Sequence, residues 1–199
     1  MKISLTNSKL GGKIPSLNLP TTICRDDAPC KKECYARHGN WLYKNVKTSL
    51  ENNLKEFLED KEAFFNGIID YLNNDDITFK FFRWVSSGDI VNYEFLLGMV
   101  KVAKATPQTK FLCFTKKFNL VNMFLDFNEL PSNLKIVFSG WDKNFIVENP
   151  HNLPTTHIYF KDPSKNKIPE FAIPCKGSCQ TCKACWSLEK GQSVYFDQH

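Results

Sequence analysis

Between residues 41 and 160 the apolar residues switch repeatedly from helical spacing to strand-like runs. This alternation limits the fold more than any other feature of the 199-residue chain. Leu42, Val46, Leu50, Leu54, Phe57 and Leu58 recur at helical spacing, which predicts an amphipathic helix over 41–59. Phe64, Phe65, Ile68, Ile69 and Leu72 predict a second helix over 61–72. Residues 77–85 are β-branched and aromatic and stop at Ser86-Ser87-Gly88, which predicts a strand and a turn. Further expected elements are helices at 91–105 and 119–127, strands at 110–114, 134–138 and 156–160, and a short strand at 3–6. Strand then helix, repeated, argues for parallel strands joined by crossovers. A closed eight-fold barrel takes about 250 residues. The expected class is therefore α/β, a partial (open) βα barrel of about five to six mostly parallel strands, with a small doubly wound sheet as the alternative. From about residue 163, three prolines (Pro163, Pro169, Pro174) and weak periodicity predict an irregular cysteine-rich C-terminal extension. The chain is read as a 1–162 barrel unit and a 163–199 extension, with Val194-Tyr195-Phe196 leading to a frayed His199.

Hydrophobic content of 42% with 17 Phe excludes a disordered chain. No apolar run approaches the roughly 20 residues of a membrane span, so no membrane partner is expected. The start, MKISLTNSKL, lacks an apolar leader. The expected location is the cytoplasm, where thiols stay reduced. Eight cysteines in that compartment point to metal or catalysis rather than to cross-links.

They divide unevenly. Cys24, Cys30 and Cys34 form C-x5-C-x3-C, Cys113 stands alone, and Cys175, Cys179, Cys182 and Cys185 form C-x3-C-x2-C-x2-C. Such crowding at the C-terminal end suits an iron–sulfur cluster, as in ferredoxin runs, with Gly177 and Ser178 easing the tight turns. Zinc is the alternative there. The N-terminal three match a cubane cluster with one iron open, or a zinc site completed by His38 or by Cys113. Cys113, on an apolar strand, otherwise reads as a packing residue.

Chemistry in βα folds gathers at the carboxyl ends of the strands. There the sequence places Ser86, Ser87, Gly88 and Asp89, then Thr115, Lys116 and Lys117, then Ser139 and Asp142, then Lys161 and Asp162. Of Arg83 and Trp84, alternation sends one toward that end of the site and the other into the core; Phe79, Phe81 and Phe82 read as core. Residues 1–47 hold nine Lys or Arg against three Asp or Glu, a basic surround for thiolates or for an anionic ligand. Nucleic acid remains an open partner, with no aromatic–basic motif to mark it.

Three clustered cysteines, the last followed by Tyr35-Ala36, and Ser87-Gly88-Asp89 after an early strand resemble the radical S-adenosylmethionine enzymes. The usual spacing in that superfamily is C-x3-C-x2-C, shorter than the one here. A closer resemblance is to the phage gene product 88 family. It rests on Thr6-Asn7-Ser8-Lys9-Leu10-Gly11, Asn18-Leu19-Pro20, residues 24–36, Ser87-Gly88-Asp89, Phe114-Thr115-Lys116 and the tail from Cys175 to Trp186. The first resemblance implies that Cys24, Cys30 and Cys34 hold a [4Fe-4S] cluster whose open iron chelates S-adenosylmethionine. It implies that Tyr35, Ser87, Gly88 and Asp89 lie against that cofactor, Asp89 accepting from its ammonium. It also implies that Cys175, Cys179, Cys182 and Cys185 hold a second, auxiliary [4Fe-4S] cluster. Expected pocket residues are Lys116 and Asp142 in catalytic roles and Ser139 and Lys161 in cofactor binding. The implied reaction is reductive cleavage of S-adenosylmethionine to a 5′-deoxyadenosyl radical acting on an unknown substrate, with a reductase or flavodoxin as electron donor. The competing readings are an iron–sulfur electron-transfer protein and a zinc-binding structural or nucleic-acid-binding phage protein.

Overall fold

The computed structural model describes residues 1–5, 7–74 and 78–198. Thr6 of the expected first strand, Ile77 of the expected strand over 77–85, and His199 lie outside the described residues.

Strands β1 (Ile3–Ser4) and β2 (Ser16–Leu17) precede two helices, α1 (Lys44–Glu59) and α2 (Lys61–Leu72). Asp60 separates the helices: it leaves helical geometry and its carboxylate accepts from the Ala63 N–H at 2.9 Å, capping α2. Strand β3 (Phe81–Trp84) leads to α3 (Tyr93–Ala105), which Asn92 caps by accepting from the Phe95 N–H at 3.0 Å. Then follow β4 (Lys110–Thr115), α4 (Phe118–Leu125), β5 (Leu134–Ser139) and β6 (Thr155–Tyr159). The tail adds β7 (Ile173–Pro174), a one-turn helix α5 (Cys179–Cys182) and β8 (Ser193–Asp197).

These strands form one sheet in the order β1-β2-β3-β4-β5-β6-β8-β7. Only the β1–β2 pairing is antiparallel. The sheet is open, with β1 and β7 at its two edges, and among the described residues it has eight strands rather than the expected five to six. The extra strands are β2 and β7, each two residues long, and β8 in the tail. Two-residue strands carry no period to read. The expected irregular extension holds in part: between β6 and β8 lie only short turns, the two-residue β7 and the one-turn α5, but β8 pairs along its whole length with β6, so the tail joins the sheet.

From β2 to β6 every step along the sheet runs the same way. Crossovers of one hand then put their helices on one face. The two faces separate by alternation. Phe82 and Trp84 on β3, Phe111 and Cys113 on β4, and Ile136 and Phe138 on β5 join Phe57, Phe64, Phe65, Ile68, Phe95, Met99 and Val121 of the helices in the main core. Cys113 is thus a packing residue, fully buried. Leu112, Val137 and Val194 face the other way, against Leu10, Ile14, Trp186 and Leu188 and the sulfurs of Cys175, Cys179 and Cys185.

Helices α2 and α3 pack closely at Gly98, where an added Cβ would stand 2.0 Å from the Phe65 ring. Gly98→Ala is therefore expected to destabilise the fold by roughly 1–3 kcal/mol through overpacking, despite alanine's better helix propensity. A urea midpoint at or above the wild type would show that the Phe65 ring moves aside freely.

Candidate functional site

The face opposite the helices bounds a cavity of about 890 Å³, large enough for a cofactor-sized ligand. Both cysteine groups line it: Cys24, Cys30 and Cys34 on one part, Cys175, Cys179, Cys182 and Cys185 on another. All seven are partly buried, and none is in a disulfide.

The N-terminal group sits on a loop of short 3-10 turns, Thr21–Ile23, Pro29–Lys32, Tyr35–Arg37 and Gly39–Leu42. Two contacts fasten this loop over the strand ends. Arg25 donates to the Lys116 carbonyl at 3.1 Å, and the Tyr35 hydroxyl donates to the Ser86 carbonyl. Burial of Ala28 and Ala36 seats the loop.

Strand β3 ends because Val85 turns into left-handed backbone, φ 43°, a conformation that is strained for a β-branched residue. Gly88 follows with φ 83°, and a Cβ there would stand 2.9 Å from the Leu19 carbonyl oxygen. The turn is clamped to that residue: the Leu19 N–H donates to the Ser87 carbonyl at 3.0 Å, and the Ser87 hydroxyl donates to the Leu19 carbonyl at 3.0 Å.

Asp89 is buried and its oxygens are engaged by the protein itself. Oδ1 accepts from the Ile90 N–H at 2.7 Å and the Thr115 hydroxyl at 2.5 Å, and Oδ2 accepts from the Lys116 N–H at 3.0 Å. Desolvation raises its pKa above the usual carboxylate range, with these hydrogen bonds and the Lys116 charge opposing. Asp89 therefore ties the end of β3 to the end of β4. Lys116 then extends Nζ to the Ser139 hydroxyl at 2.7 Å, with the Trp141 ring centre 5.9 Å away.

Burial dominates the thiols. It pushes Cys24 up to about 12, helped by the negative charge of Asp89 and by Cys30 and Cys34, while Lys116 opposes. Cys185 is likewise pushed up to about 12 by burial, with Arg83 the main opposing charge. The members of each group thus sit close enough to feel one another's charge. Among the described residues, no set of three or more His, Cys, Asp or Glu side chains is drawn together as a site for a metal ion.

The C-terminal group is anchored by packing. Trp186 is buried, its Nε1–H donates to the Phe82 carbonyl at 3.2 Å, and its ring meets Phe81 edge-on at 5.6 Å. The Cys175 N–H donates to the Tyr195 carbonyl at 2.9 Å.

Of the residues that the sequence singles out, Tyr35, Ser87, Gly88, Asp89, Lys116, Ser139 and the seven clustered cysteines line the cavity. Asp142 and Lys161 do not. The Asp142 carboxylate closes its own turn, accepting from the Asn144 N–H at 2.9 Å and the Phe145 N–H at 3.1 Å. Lys161 is exposed. Neither His38 nor Cys113 reaches the cavity as a further ligand to the first group. Of the pair Arg83 and Trp84, Arg83 lines the cavity and Trp84 is core. Asn18 is the residue that the sequence reading left without a role. It is buried, lines the cavity, and its Oδ1 has no hydrogen-bond partner among the described residues. Its place in the stretch Asn18-Leu19-Pro20, directly before the residue that clamps Gly88, was the available signal.

Fold and site together define an open, mostly parallel α/β sheet protein with helices α2, α3 and α4 on one face and two thiol groups around a cavity on the other. Within that class the chain belongs to the gene product 88 family, whose sequence profile matches residues 1–188. No curated protein and no solved structure matches it. Among the described residues no helix is long and apolar enough to cross a membrane.

Proposed function

We propose that this chain is an iron–sulfur enzyme that reductively cleaves S-adenosylmethionine to act on a substrate still to be identified. Cys24, Cys30 and Cys34 hold a [4Fe-4S] cluster with one iron open. Cys175, Cys179, Cys182 and Cys185 hold a second [4Fe-4S] cluster. The observation that carries this reading is that both thiol groups, the Gly88 turn and the Lys116–Ser139 pair line one cavity at the carboxyl ends of parallel strands. The donor chemistry fits: three soft sulfur ligands in one group and four in the other, reduced and partly buried, in a site where bound metal would ionise thiols that burial keeps protonated.

When bound, the cluster with the open iron supplies the electron that breaks a carbon–sulfur bond of S-adenosylmethionine. The chain's own residues do the rest. The loop through Tyr35 covers the site and excludes water. Gly88 lets the backbone of residues 87–89 approach the cofactor. The Lys116 ammonium, steadied by the Ser139 hydroxyl, pairs with a cofactor carboxylate. Asp89 holds Lys116 in place through its backbone. An electron donor such as a reductase or flavodoxin completes the cycle.

The direct test adds S-adenosylmethionine and dithionite to the anaerobic protein and measures 5′-deoxyadenosine. Lys116→Met is expected to weaken S-adenosylmethionine binding by roughly 10- to 100-fold, the loss of one charge-assisted hydrogen bond, as read by calorimetric titration. Clusters present without cofactor binding or product would replace this reading with an electron-transfer protein. Two zinc and no iron would replace it with a structural zinc protein.

A further inference from the structure

Arg83 lies on β3 with 8% of its surface exposed. Its Nε donates to the Trp84 carbonyl at 3.1 Å, and its guanidinium carbon stands 4.0 Å from the centre of the Phe114 ring. Among the described residues no carboxylate forms an ion pair with it. A buried cation is unfavourable unless an anion answers it, and an aromatic ring answers only part of the charge. The alternation that sends Trp84 into the core sends Arg83 to the cavity face, where the C-terminal cysteines pack. The Phe114 ring that its guanidinium covers packs in the same apolar cluster as Cys175, Cys179 and Cys185. Two further cations stand on aromatic rings of the same face: Lys9 at 4.7 Å from the Phe196 centre and Lys183 at 5.0 Å from the Phe81 centre. Unlike Arg83, neither belongs to the sheet: Lys9 lies in the 3-10 turn Ser8–Leu10, and Lys183 directly follows α5.

Four thiolates outweigh the charge of the metal core they hold, so a loaded four-cysteine site is anionic. We propose that Arg83 is the buried counter-ion of the C-terminal cysteine site, balancing the charge of a metal–thiolate centre held by Cys175, Cys179, Cys182 and Cys185. This inference rests on the reading that those four residues hold a [4Fe-4S] cluster. Its consequence is electrical. A fixed positive charge beside the centre favours the more negative, reduced state and raises the reduction potential.

The test uses full-length protein, prepared without oxygen and carrying Cys34→Ala, so that the C-terminal centre is observed alone. A redox titration followed by electron paramagnetic resonance compares this protein with versions that also carry Arg83→Gln or Arg83→Lys. Arg83→Gln is expected to lower the reduced-to-oxidised ratio at a given poise about tenfold, a shift of about 59 mV for a one-electron couple. Arg83→Lys, which keeps the charge, is expected to stay within about threefold, roughly half that shift. An unchanged potential in Arg83→Gln overturns the proposal, as does an equal shift in both variants. If Arg83→Gln does not fold, Arg83→Met, which removes the charge while filling the same space, is read against the same tenfold expectation. Iron analysis of Cys179→Ala separates the two claims. If its iron equals that of the unsubstituted protein, the four-cysteine site itself fails and Arg83 loses its proposed partner. If its iron falls while Arg83→Gln leaves the potential unchanged, the site stands and only the counter-ion role is lost.

Discussion

Protein purified without oxygen is expected to carry about eight iron and eight inorganic sulfide per chain, two cubanes, and Cys34→Ala is expected to carry about half of each. The prediction follows from the division of the sulfurs. The two groups line one cavity but hang from different supports. Cys34 belongs to the loop that Arg25 and Tyr35 fasten over the strand ends. The other four belong to a segment fixed by Trp186 beneath β3 and by strand β8. Removing one sulfur from the three-ligand group leaves too few ligands for its cluster, while the four-ligand group keeps its own set and anchors. Iron and sulfide analysis with visible absorption measures this directly. Loss of all iron in Cys34→Ala would mean that the groups are not independent sites. Zinc in place of iron would remove the redox chemistry altogether.

The largest expected effect outside the sulfurs is at Gly88. A Cβ there would stand 2.9 Å from both Cβ and the carbonyl oxygen of Leu19, and φ is 83°. Neither problem has a cheap solution. The backbone conformation costs an L-residue roughly 1–2 kcal/mol, and overpacking adds roughly 1–3 kcal/mol. The neighbour cannot retreat without breaking its two hydrogen bonds with Ser87, both at 3.0 Å. Gly88→Ala is therefore expected to lower Tm by roughly 5–15 °C by circular dichroism. Because the same turn forms part of the cavity wall, binding of S-adenosylmethionine should fall along with stability. A shift in Tm under about 2 °C would show that the turn is loose and that Leu19 is not a fixed wall.

Much of this architecture is legible in the spacing of apolar residues. The helix over 61–72 is bounded as the periodicity predicts, because Asp60 supplies a cap where α1 must end. The strands around Phe111 and Ile136 are plain because each has a continuous apolar run, Phe111–Phe114 and Ile136–Phe138, between polar residues. Strands β2 and β7 are not plain, since two residues define no period. The strand expected over 77–85 is found at Phe81–Trp84, and it stops at Trp84 because Val85 leaves extended geometry, an event that no local propensity announces. Strand ends are polar wherever they occur, so the sequence could not separate Lys116, which reaches Ser139 in the cavity, from Asp142, whose Oδ1 accepts from its own turn.

The sequence by itself determined the chemistry on offer: seven sulfurs in groups of three and four, a glycine turn after an early strand, and a series of parallel strands to carry them. These are local properties, set by residue type and spacing. Only the tertiary structure decided that both groups share one cavity, that the tail joins the sheet through β8, and that Arg83 rather than Trp84 lies on the cavity face. Those facts depend on strand register and on which face of the sheet the tail covers. Both are set by contacts between residues far apart in the chain, such as Trp186 with Phe82, and no short window of sequence contains them.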